Sequence, residues 1–174
     1  MAHPAQQQFC QEVKTRFPAY FRGTRVLEVG SRNINGSVRD LFEDCEYVGV
    51  DCTPGKDVDV VAFGHEFAAE PGSFDVACAL ETFEHDPFAE KTITRMLQLL
   101  RSEGLFFVTC ASEGRREHGT KRQGTQYGPE ATFYRNVTLH CFSEWIVATG
   151  VELQELLLRH DRKVCDLYCF AIKA

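Results

Sequence analysis

Three features are missing from this 174-residue sequence, and each absence excludes a class of protein. No stretch of about 18 apolar residues is present, so no segment is expected to span a membrane. The polar start MAHPAQQQ lacks the apolar centre of a signal peptide, which predicts a cytoplasmic protein. None of the eight cysteines belongs to a C-x-x-C pair, so we expect reduced thiols packed in the core and no metal site.

Positive charge is also scarce, with 19 Lys and Arg against 25 Asp and Glu and a formal net charge of −6. Because duplex nucleic acid and anionic membranes are usually met by a basic face, neither is expected as a partner. One local exception is a basic cluster, which consists of Arg115, Arg116, His118, Lys121 and Arg122. The composition, 44% hydrophobic and 25% charged, is that of a globular protein, and the length predicts a single domain over residues 1–174.

A strand, a glycine-containing turn and a helix start are predicted together at Thr24–Asp40, TRVLEVGSRNINGSVRD. The apolar run ends near Glu28, a turn with Gly30 and two asparagines follows, and Ser37 is a suitable N-cap for a short helix. Such a turn lets backbone N–H groups approach a ligand closely, so it predicts a nucleotide-like cofactor site. The dinucleotide fingerprint G-x-G-x-x-G is absent, and Glu28 would repel a pyrophosphate but suit a cationic ammonium group.

A second acidic residue closes the next predicted strand, CEYVGVD, which ends at Asp51. It follows the glycine turn by about 20 positions, at the tip of the neighbouring strand, where a cofactor ribose would present its hydroxyl groups. Asp51 is therefore interpreted as a ribose ligand. The alternative is a solvated carboxylate that opens the turn DCTPG.

Three segments together resemble class I S-adenosylmethionine-dependent methyltransferases. VLEVG resembles their first motif, an apolar strand ending in an acidic residue before G-x-G-x-G, although Arg32 and Ile34 replace its second and third glycines. FDVACALETFEH at 74–85 and SEGLFFVTC at 102–110 resemble two further segments of the family. The resemblance covers residues 24–110 and implies an α/β fold, a Rossmann-like three-layer sandwich whose mostly parallel seven-stranded sheet has an antiparallel C-terminal strand. It also implies S-adenosyl-L-methionine as the cofactor and methyl transfer as the reaction.

The remaining elements are predicted from periodicity and from residues that start and stop helices. We expect an N-terminal helix within 1–22, strands at 57–62, 74–80 and 105–110, a helix from Asp86 to Gly104, and a helix at 142–149 with Ser143 as N-cap. Residues 151–160 fit either a helix or a strand paired antiparallel with 166–172. The segment 111–137 lacks periodicity and contains four glycines, so it is predicted to be a lid loop. The N-terminal helix is expected to cover the core, whereas in the family such a helix borders the substrate side.

The resemblance implies a set of cofactor contacts at the strand ends. They are Glu28, Gly30, Ser31, Arg32, Asp51, Cys52, Phe63, Gly64 and Glu81. Many family members place an Asp near position 63 that accepts a hydrogen bond from the adenine amino group. Here that Asp is missing, and Phe63 either covers the adenine face or belongs to the core. Arg32 either pairs with the cofactor carboxylate or faces solvent and pairs with Glu43 or Asp40.

Candidate catalytic and acceptor-binding residues follow the fourth predicted strand. His85 is the candidate general base, oriented by Glu84, and a base is needed only for an alcohol or a protonated amine. The alternative is a structural histidine. Candidate substrate-binding residues in the lid segment are His118, Tyr127, Tyr134 and Arg135. Positive charge in that segment favours an acidic acceptor.

These assignments predict S-adenosylmethionine-dependent methyl transfer to a small-molecule acceptor, at oxygen or at nitrogen. An alternative from another class is a catalytically silent S-adenosylmethionine-binding module that serves a partner protein, which the missing glycines would permit. A nicotinamide-dependent oxidoreductase is disfavoured by Glu28 and by the absent dinucleotide fingerprint.

Overall fold

The computed structural model describes residues 3–124 and 132–174, and the strands of these residues form one sheet. Seven strands pair in the order β3-β2-β1-β4-β5-β7-β6. In chain order they are β1 Arg25–Val29, β2 Glu46–Asp51, β3 Val60–Val61, β4 Phe74–Leu80, β5 Leu100–Ala111, β6 Leu153–Asp161 and β7 Asp166–Lys173. Strand β7 is antiparallel to both of its neighbours, and the other pairings are parallel. The predicted α/β fold with an antiparallel C-terminal strand is confirmed.

The C-terminal hairpin decides the segment that fitted either a helix or a strand. Strands β6 and β7 are joined by a tight turn in which the Cys165 N–H donates to the Asp161 carbonyl oxygen at 2.7 Å. A connection this short makes two neighbouring strands antiparallel. Residues 153–161 are therefore a strand, and β7 lies inside the sheet between β5 and β6.

Helices cover both faces of the sheet and give the three predicted layers. They are α1 Pro4–Arg16 on one face and α2 Ala89–Leu99 with α3 Leu139–Ala148 on the other. Phe9 and Val13 of α1 are buried against the sheet, and the Phe9 ring stacks on Tyr168 with centroids 4.8 Å apart. On the opposite face Ile93 and Phe142 are fully buried in a second cluster. Burying each such side chain contributes about 1.5–3 kcal/mol.

The connection between β1 and β2 contains no α-helix, which corrects the prediction of a short helix after Ser37. It contains a 3₁₀ turn, Arg39–Leu41, and the Ser37 hydroxyl accepts the N–H of Arg39 at 3.0 Å. Val38 is buried and Leu41 and Phe42 pack against the same core cluster, so the turn already buries the apolar side chains of this stretch. Residues 31–38 therefore form an irregular loop at the carboxyl end of β1.

Helix α1 ends at Arg16, before Pro18, and a 3₁₀ turn, Pro18–Phe21, follows, because proline has no N–H with which to continue the helix. Helix α2 is shorter than predicted and ends at Leu99 rather than at Gly104, because the chain passes directly into β5. Gly104 lies in that strand, where the parallel pairing with β4 is interrupted by a bulge.

Helix α3 begins earlier than predicted, and its cap is a different residue. Thr138 is the N-cap, with an extended backbone and a hydroxyl that accepts the N–H of Cys141 at 3.0 Å. Ser143 lies inside the helix, where its hydroxyl donates to the Leu139 carbonyl oxygen at 2.8 Å. Both residues are suitable caps, and the position of the preceding chain selects Thr138.

No helix in the described part of the chain is long and apolar enough to cross a membrane. All eight cysteines are free thiols. Four of them are buried, namely Cys10, Cys78, Cys110 and Cys169. Burial raises the pKa of each of these thiols, so they pack as small apolar side chains.

Candidate active site

A cavity of about 450 Å³ opens at the carboxyl ends of β1, β2 and β4. The chain leaves β1 toward β2 on one side and β4 toward β5 on the other, so the two loops diverge and leave this space. All nine residues predicted to contact a cofactor line the cavity, namely Glu28, Gly30, Ser31, Arg32, Asp51, Cys52, Phe63, Gly64 and Glu81. Its volume lies within the range of small-molecule sites, about 300–1,000 Å³.

Gly30 allows the loop after β1 to approach the loop after β4. Its φ is +80°, and a Cβ atom there would lie 2.1 Å from the Thr82 Oγ1. That hydroxyl lies 3.2 Å from the carbonyl oxygens of Val29 and Leu80, which ties the two strand ends together. A side chain at position 30 would therefore collide with protein atoms, in a backbone conformation that favours glycine.

Asp51 joins the first loop to the end of β2. One carboxylate oxygen accepts the backbone N–H of Arg32 at 3.3 Å, and the other accepts the N–H of Thr53 at 2.8 Å. Burial raises the pKa of Asp51, and the two backbone hydrogen bonds oppose that shift. Because a carboxylate has about four acceptor sites, Asp51 keeps capacity to accept hydrogen bonds from a ligand.

Glu28 lies at the floor of the cavity and is 4% exposed. The Tyr47 hydroxyl donates to its Oε2 at 2.8 Å. Burial raises the pKa of Glu28 to about 7, against the opposing effects of the Tyr47 hydrogen bond and the Arg39 charge. A cationic ligand group beside this carboxylate would favour its ionised form.

Phe63 and Gly64 form the rim beyond β3. The Phe63 ring is half-buried and contacts the rings of His65 and Phe88, with centroids 5.8 Å and 6.1 Å away. A Cβ at Gly64 would lie 2.6 Å from side-chain carbons of Thr92 and of β1. The rim is therefore aromatic and closely packed, and one side of Phe63 faces the cavity.

Three aromatic rings meet at the other end of the cavity. His85, His118 and Tyr134 lie in mutual edge contact, with ring centroids 5.1–5.3 Å apart. Both histidines line the cavity. Burial and the neighbouring His118 lower the pKa of His85 to about 4, and burial lowers the pKa of His118. Both imidazoles are therefore neutral at neutral pH.

Glu84 is fully buried behind these rings. Its Oε1 lies 3.7 Å from the Nε2 of His118, and no hydrogen bond joins it to His85 among the described residues. Burial, together with the charge of Glu81, raises the pKa of Glu84 well above its usual value. The backbone amides of Glu84 and Ala111 oppose that shift without forming hydrogen bonds of good geometry to the carboxylate.

The predicted acceptor-binding residues separate in the structure. His118 reaches the cavity, and Tyr134 packs against it while its hydroxyl donates to the Arg116 carbonyl oxygen at 3.2 Å. Arg135 does not line the cavity, because its guanidinium lies 4.5 Å from the ring centroid of Trp145. Tyr127 lies outside the described residues.

The segment after β5 is anchored to the sheet at both of its ends. The Ser112 N–H donates to the Cys165 carbonyl oxygen at 2.8 Å, and the Val137 N–H donates to the Ala111 carbonyl oxygen at 2.9 Å. Within the basic cluster, Arg115 pairs with the buried Asp166 at 2.9 Å. Arg122 pairs with Glu117 at 2.7 Å, so part of the cluster's charge is compensated inside the protein.

Helix α1 contributes cavity residues that the sequence analysis did not assign to the site. They are Gln6, Gln7, Cys10 and Gln11. The same helix buries Phe9 and Val13, so it covers the core and also borders the cavity. The run QQQFCQ was the available signal, since glutamines beside a buried stripe mark a polar face that meets a site or solvent.

A family model described as a methyltransferase domain matches residues 1–156 of the chain. No curated protein sequence matches the chain. Solved structures match its fold, and one of them is the Burkholderia thailandensis 1,6-didemethyltoxoflavin-N1-methyltransferase with 1,6-didemethyltoxoflavin and S-adenosylhomocysteine bound. Its TM-score is 0.68 at 19% identity, over 98% of this chain and 78% of that one.

Two other solved structures have a similar fold. Haemonchus contortus phosphoethanolamine N-methyltransferase 2, in complex with S-adenosyl-L-methionine, has a TM-score of 0.67 at 16% identity, over 96% of this chain and 52% of that one. The [4+2]-cyclase SpnF has a TM-score of 0.68 at 16% identity, over 97% of this chain and 81% of that one. At such identities the likeness establishes the fold and leaves the reaction to the residues of the site.

Proposed function

The chain belongs to the methyltransferase domain family, and we propose that this S-adenosylmethionine-dependent methyltransferase acts on a small-molecule acceptor at an oxygen or nitrogen atom. One observation carries the proposal. The carboxylates that end β1 and β2, Glu28 and Asp51, line the same cavity as His85 and His118. Groups suited to a cofactor and groups suited to an acceptor therefore share one space.

The residues of the cavity fit S-adenosylmethionine. We assign Glu28 to the ammonium group, because its buried carboxylate accepts one hydrogen bond among the described residues, from Tyr47, and would be ionised by a nearby cation. We assign Asp51 to the ribose hydroxyls, and Phe63 with Gly64 to the adenine. Ser31, Arg32, Cys52 and Glu81 line the space between. The cofactor, when bound, supplies a methyl group that is already activated by a positive sulfur.

The protein's contribution is therefore positioning and exclusion of water. The glutamines of α1 and the loop that carries His118 both border the cavity. Holding an acceptor in line with a reactive group is worth up to about 7–11 kcal/mol in favourable intramolecular cases. We propose that His85, His118 and Tyr134 contact the acceptor and that the segment 111–137 closes over it as a lid.

The acceptor is proposed to be small and acidic. The small size follows from the cavity, whose roughly 450 Å³ must hold the cofactor as well. Arg116 and Lys121 are exposed near the mouth and would attract a carboxylate or phosphate, whereas Arg115 and Arg122 already pair with carboxylates of the protein.

The test has two stages. S-adenosylhomocysteine is first titrated into the protein by calorimetry, and S-adenosylmethionine is then incubated with hydroxylated and amine metabolites while S-adenosylhomocysteine formation is measured. We expect tight binding and turnover with one acceptor class. Binding without turnover on any acceptor, including a whole metabolite extract, would support the silent-module alternative. Binding of a nicotinamide cofactor in its place would refute both.

A further inference from the structure

A buried carboxylate and two imidazoles converge at the acceptor end of the cavity. One donor atom from each of Glu84, His85 and His118 lies within 4.8 Å of the others. We propose that these three side chains bind one divalent transition-metal ion, whose free coordination positions face the acceptor. Two histidines and one carboxylate, with open positions remaining, form the donor set of many catalytic zinc and non-haem iron sites.

The spacing of the donors suits an ion. The Glu84 Oε1 and the His118 Nε2 are 3.7 Å apart, which is too long for a hydrogen bond. Two ligands held at about 2.1 Å from one ion lie about 3.4 Å apart at a tetrahedral angle. This pair would therefore need a shift of about 0.3 Å, and the His85 donor, which lies within 4.8 Å of the other two, a shift of at most about 1.4 Å, within the reach of side-chain rotation.

The orientation of His118 leaves the correct nitrogen available. Its Nδ1 lies 3.1 Å from the Arg116 carbonyl oxygen and donates to it, so the lone pair is on Nε2. Metal-binding histidines almost always donate their second ring N–H to a carbonyl or carboxylate, which fixes the tautomer. His118 meets this condition before any ion binds.

The lack of hydrogen bonds to the Glu84 carboxylate among the described residues also supports an ion at this place. Neither of its carboxylate oxygens, nor the Nε2 of His118, has a hydrogen-bond partner among the described residues. A fully buried carboxyl group whose oxygens lack partners is costly, and one bound cation would compensate all three of these atoms.

A second group of similar composition shows the contrast. His3, Glu81 and Asp166 also lie within ligand distance of one another. There Asp166 accepts from Arg115 at 2.9 Å and pairs with His3 at 2.7 Å, and Thr109 donates to Glu81 at 2.9 Å. Because protein groups already compensate Asp166 and one oxygen of Glu81, and only Glu81 Oε2 of these carboxylate oxygens lacks a partner among the described residues, we assign no ion to that group.

The position of the ion suggests its role, and this step depends on the proposed function. His85 and His118 line the cavity and Glu84 lies behind them, so an ion among them would be open to the acceptor. A bound cation lowers the pKa of a coordinated hydroxyl group. The acceptor hydroxyl would release its proton to water, and the electron pair would remain on the oxygen bound to the ion. The inference therefore narrows the acceptor to a hydroxyl compound, and His85 acts as a ligand rather than as a base.

The first experiment measures metal binding alone and does not depend on methyl transfer. The full chain is stripped with a chelator, and Co²⁺ and Zn²⁺ are titrated by calorimetry, with the visible absorption of Co²⁺ as a second signal. We expect one ion per chain, and a loss of affinity of about tenfold or more in Glu84→Gln and in His118→Asn. His140→Gln is the matched control, because His140 also lies near a glutamate, Glu144, at 3.4 Å but on the exposed face of α3.

The results separate the two proposals. Absence of stoichiometric binding, or unchanged binding in both variants, overturns the metal site. Glu84 is buried, so its variant is checked by circular dichroism, and His118→Asn, on a loop, supplies the second comparison. Metal binding without methyl transfer would leave the site standing and refute the proposed function. Methyl transfer that persists after chelation would leave the proposed function standing, refute the role of the ion in the reaction and return His85 to the role of general base.

Discussion

The two ends of the cavity differ in how their polar groups are satisfied. At the cofactor end, Asp51 accepts hydrogen bonds from the backbone of Arg32 and Thr53, and Glu28 accepts one from Tyr47. At the acceptor end, both carboxylate oxygens of Glu84 and the Nε2 of His118 lack partners among the described residues. At the cofactor end Ser31 Oγ and Glu81 Oε2 also lack partners among the described residues, but the protein supplies hydrogen bonds to Glu28 and Asp51, whereas it supplies none to either carboxylate oxygen of Glu84.

The cofactor end is therefore largely preformed, whereas the acceptor end needs a ligand or an ion to satisfy its polar groups. A buried polar group without a hydrogen bond costs about 1–3 kcal/mol, so it persists where a ligand or ion compensates it. The cofactor end should therefore respond to mutation through packing and ordinary hydrogen bonds. The acceptor end should respond mainly when a ligand is present. The following predictions test this contrast, from the largest expected effect to the smallest.

Gly30→Ala should cause the largest loss, because the cofactor end depends on close packing. The new Cβ would lie 2.1 Å from Thr82 in a backbone with φ +80°, so we expect unfolding to be easier by about 2–4 kcal/mol. Gly150→Ala is the control, because φ is +67° there and no atom lies within 4 Å of the new Cβ. Gly150→Ala should lower the free energy of unfolding only by the backbone strain, about 1–2 kcal/mol. Equal losses in urea unfolding would show that the contact with Thr82 is unimportant.

Asp51→Ala should weaken S-adenosylhomocysteine binding by about 2–3 kcal/mol, taking about 1–1.5 for each of two ribose hydrogen bonds. Asp59→Ala is the matched control, since Asp59 accepts from Gly49 and Arg39 and does not line the cavity. Calorimetry on both variants checks the assignment. If Asp51→Ala binds as tightly as the unchanged protein, the ribose contact is elsewhere.

Binding of S-adenosylhomocysteine should strengthen as pH rises through about 7. Glu28 has a pKa raised to about 7 by burial, so much of it is protonated below that pH, whereas an ammonium group favours the ionised form. Affinity should therefore be up to about tenfold weaker at one pH unit below that pKa than on the plateau above it. The other titratable or charged groups that interact with Glu28 are the same in the unchanged protein and in Glu28→Gln. They are Cys10, Arg39, Tyr47, Asp51, Asp57 and Cys78. Glu28→Gln should bind more weakly and lose the pH dependence.

The same group sets a direction for stability without ligand. The pKa of Glu28 in the folded protein exceeds its value in the unfolded chain. Its contribution to the free energy of unfolding is therefore fully present below the unfolded pKa of about 4.5 and is lost as pH rises through about 7. The midpoint temperature of thermal unfolding should therefore fall less steeply with rising pH across that window in Glu28→Gln than in the unchanged protein. An identical slope in both proteins would contradict the shifted pKa.

The smallest effect is expected at the lid. With S-adenosylhomocysteine and acceptor both bound, amide exchange between Arg115 and Gly124 should slow modestly, since the ends of the segment are already anchored. The exposed turn at Arg162 and Lys163 is the internal control, because it lies outside the cavity. Exchange that is the same with and without both ligands would remove the lid from the proposal.

The sequence was most informative where chemistry and local structure coincide. Glu28 is the last residue but one of β1 and Asp51 ends β2, and parallel strand ends meet at one edge, so their convergence followed from pattern alone. The same holds for the buried stripe of α2 and for the β6–β7 hairpin as one of two alternatives. These features depend on neighbours in the chain, which the sequence displays directly.

Boundaries and caps were less predictable, because long-range packing selects among equivalent local choices. Ser143 and Thr138 are both good N-caps, and only the path of the chain from β5 decides between them. The loop after β1 could begin a helix at Ser37, but it forms only the 3₁₀ turn Arg39–Leu41, which packs Val38 and Leu41 in the core. Arg135 follows Tyr134 in sequence, yet it turns away to cover Trp145.

By itself the sequence determined the α/β order, the two acidic strand ends and the nine residues that share one cavity. It indicated no metal site, because its cysteines form no pairs and because Glu84 and His118 are far apart in the chain. Only the tertiary structure brought that carboxylate within 3.7 Å of that imidazole and directed Nε2 toward it through the Arg116 carbonyl. The physical reason is that the position of a strand end is set by local pattern, whereas the direction of a side chain on a loop is set by whichever distant groups the fold places beside it.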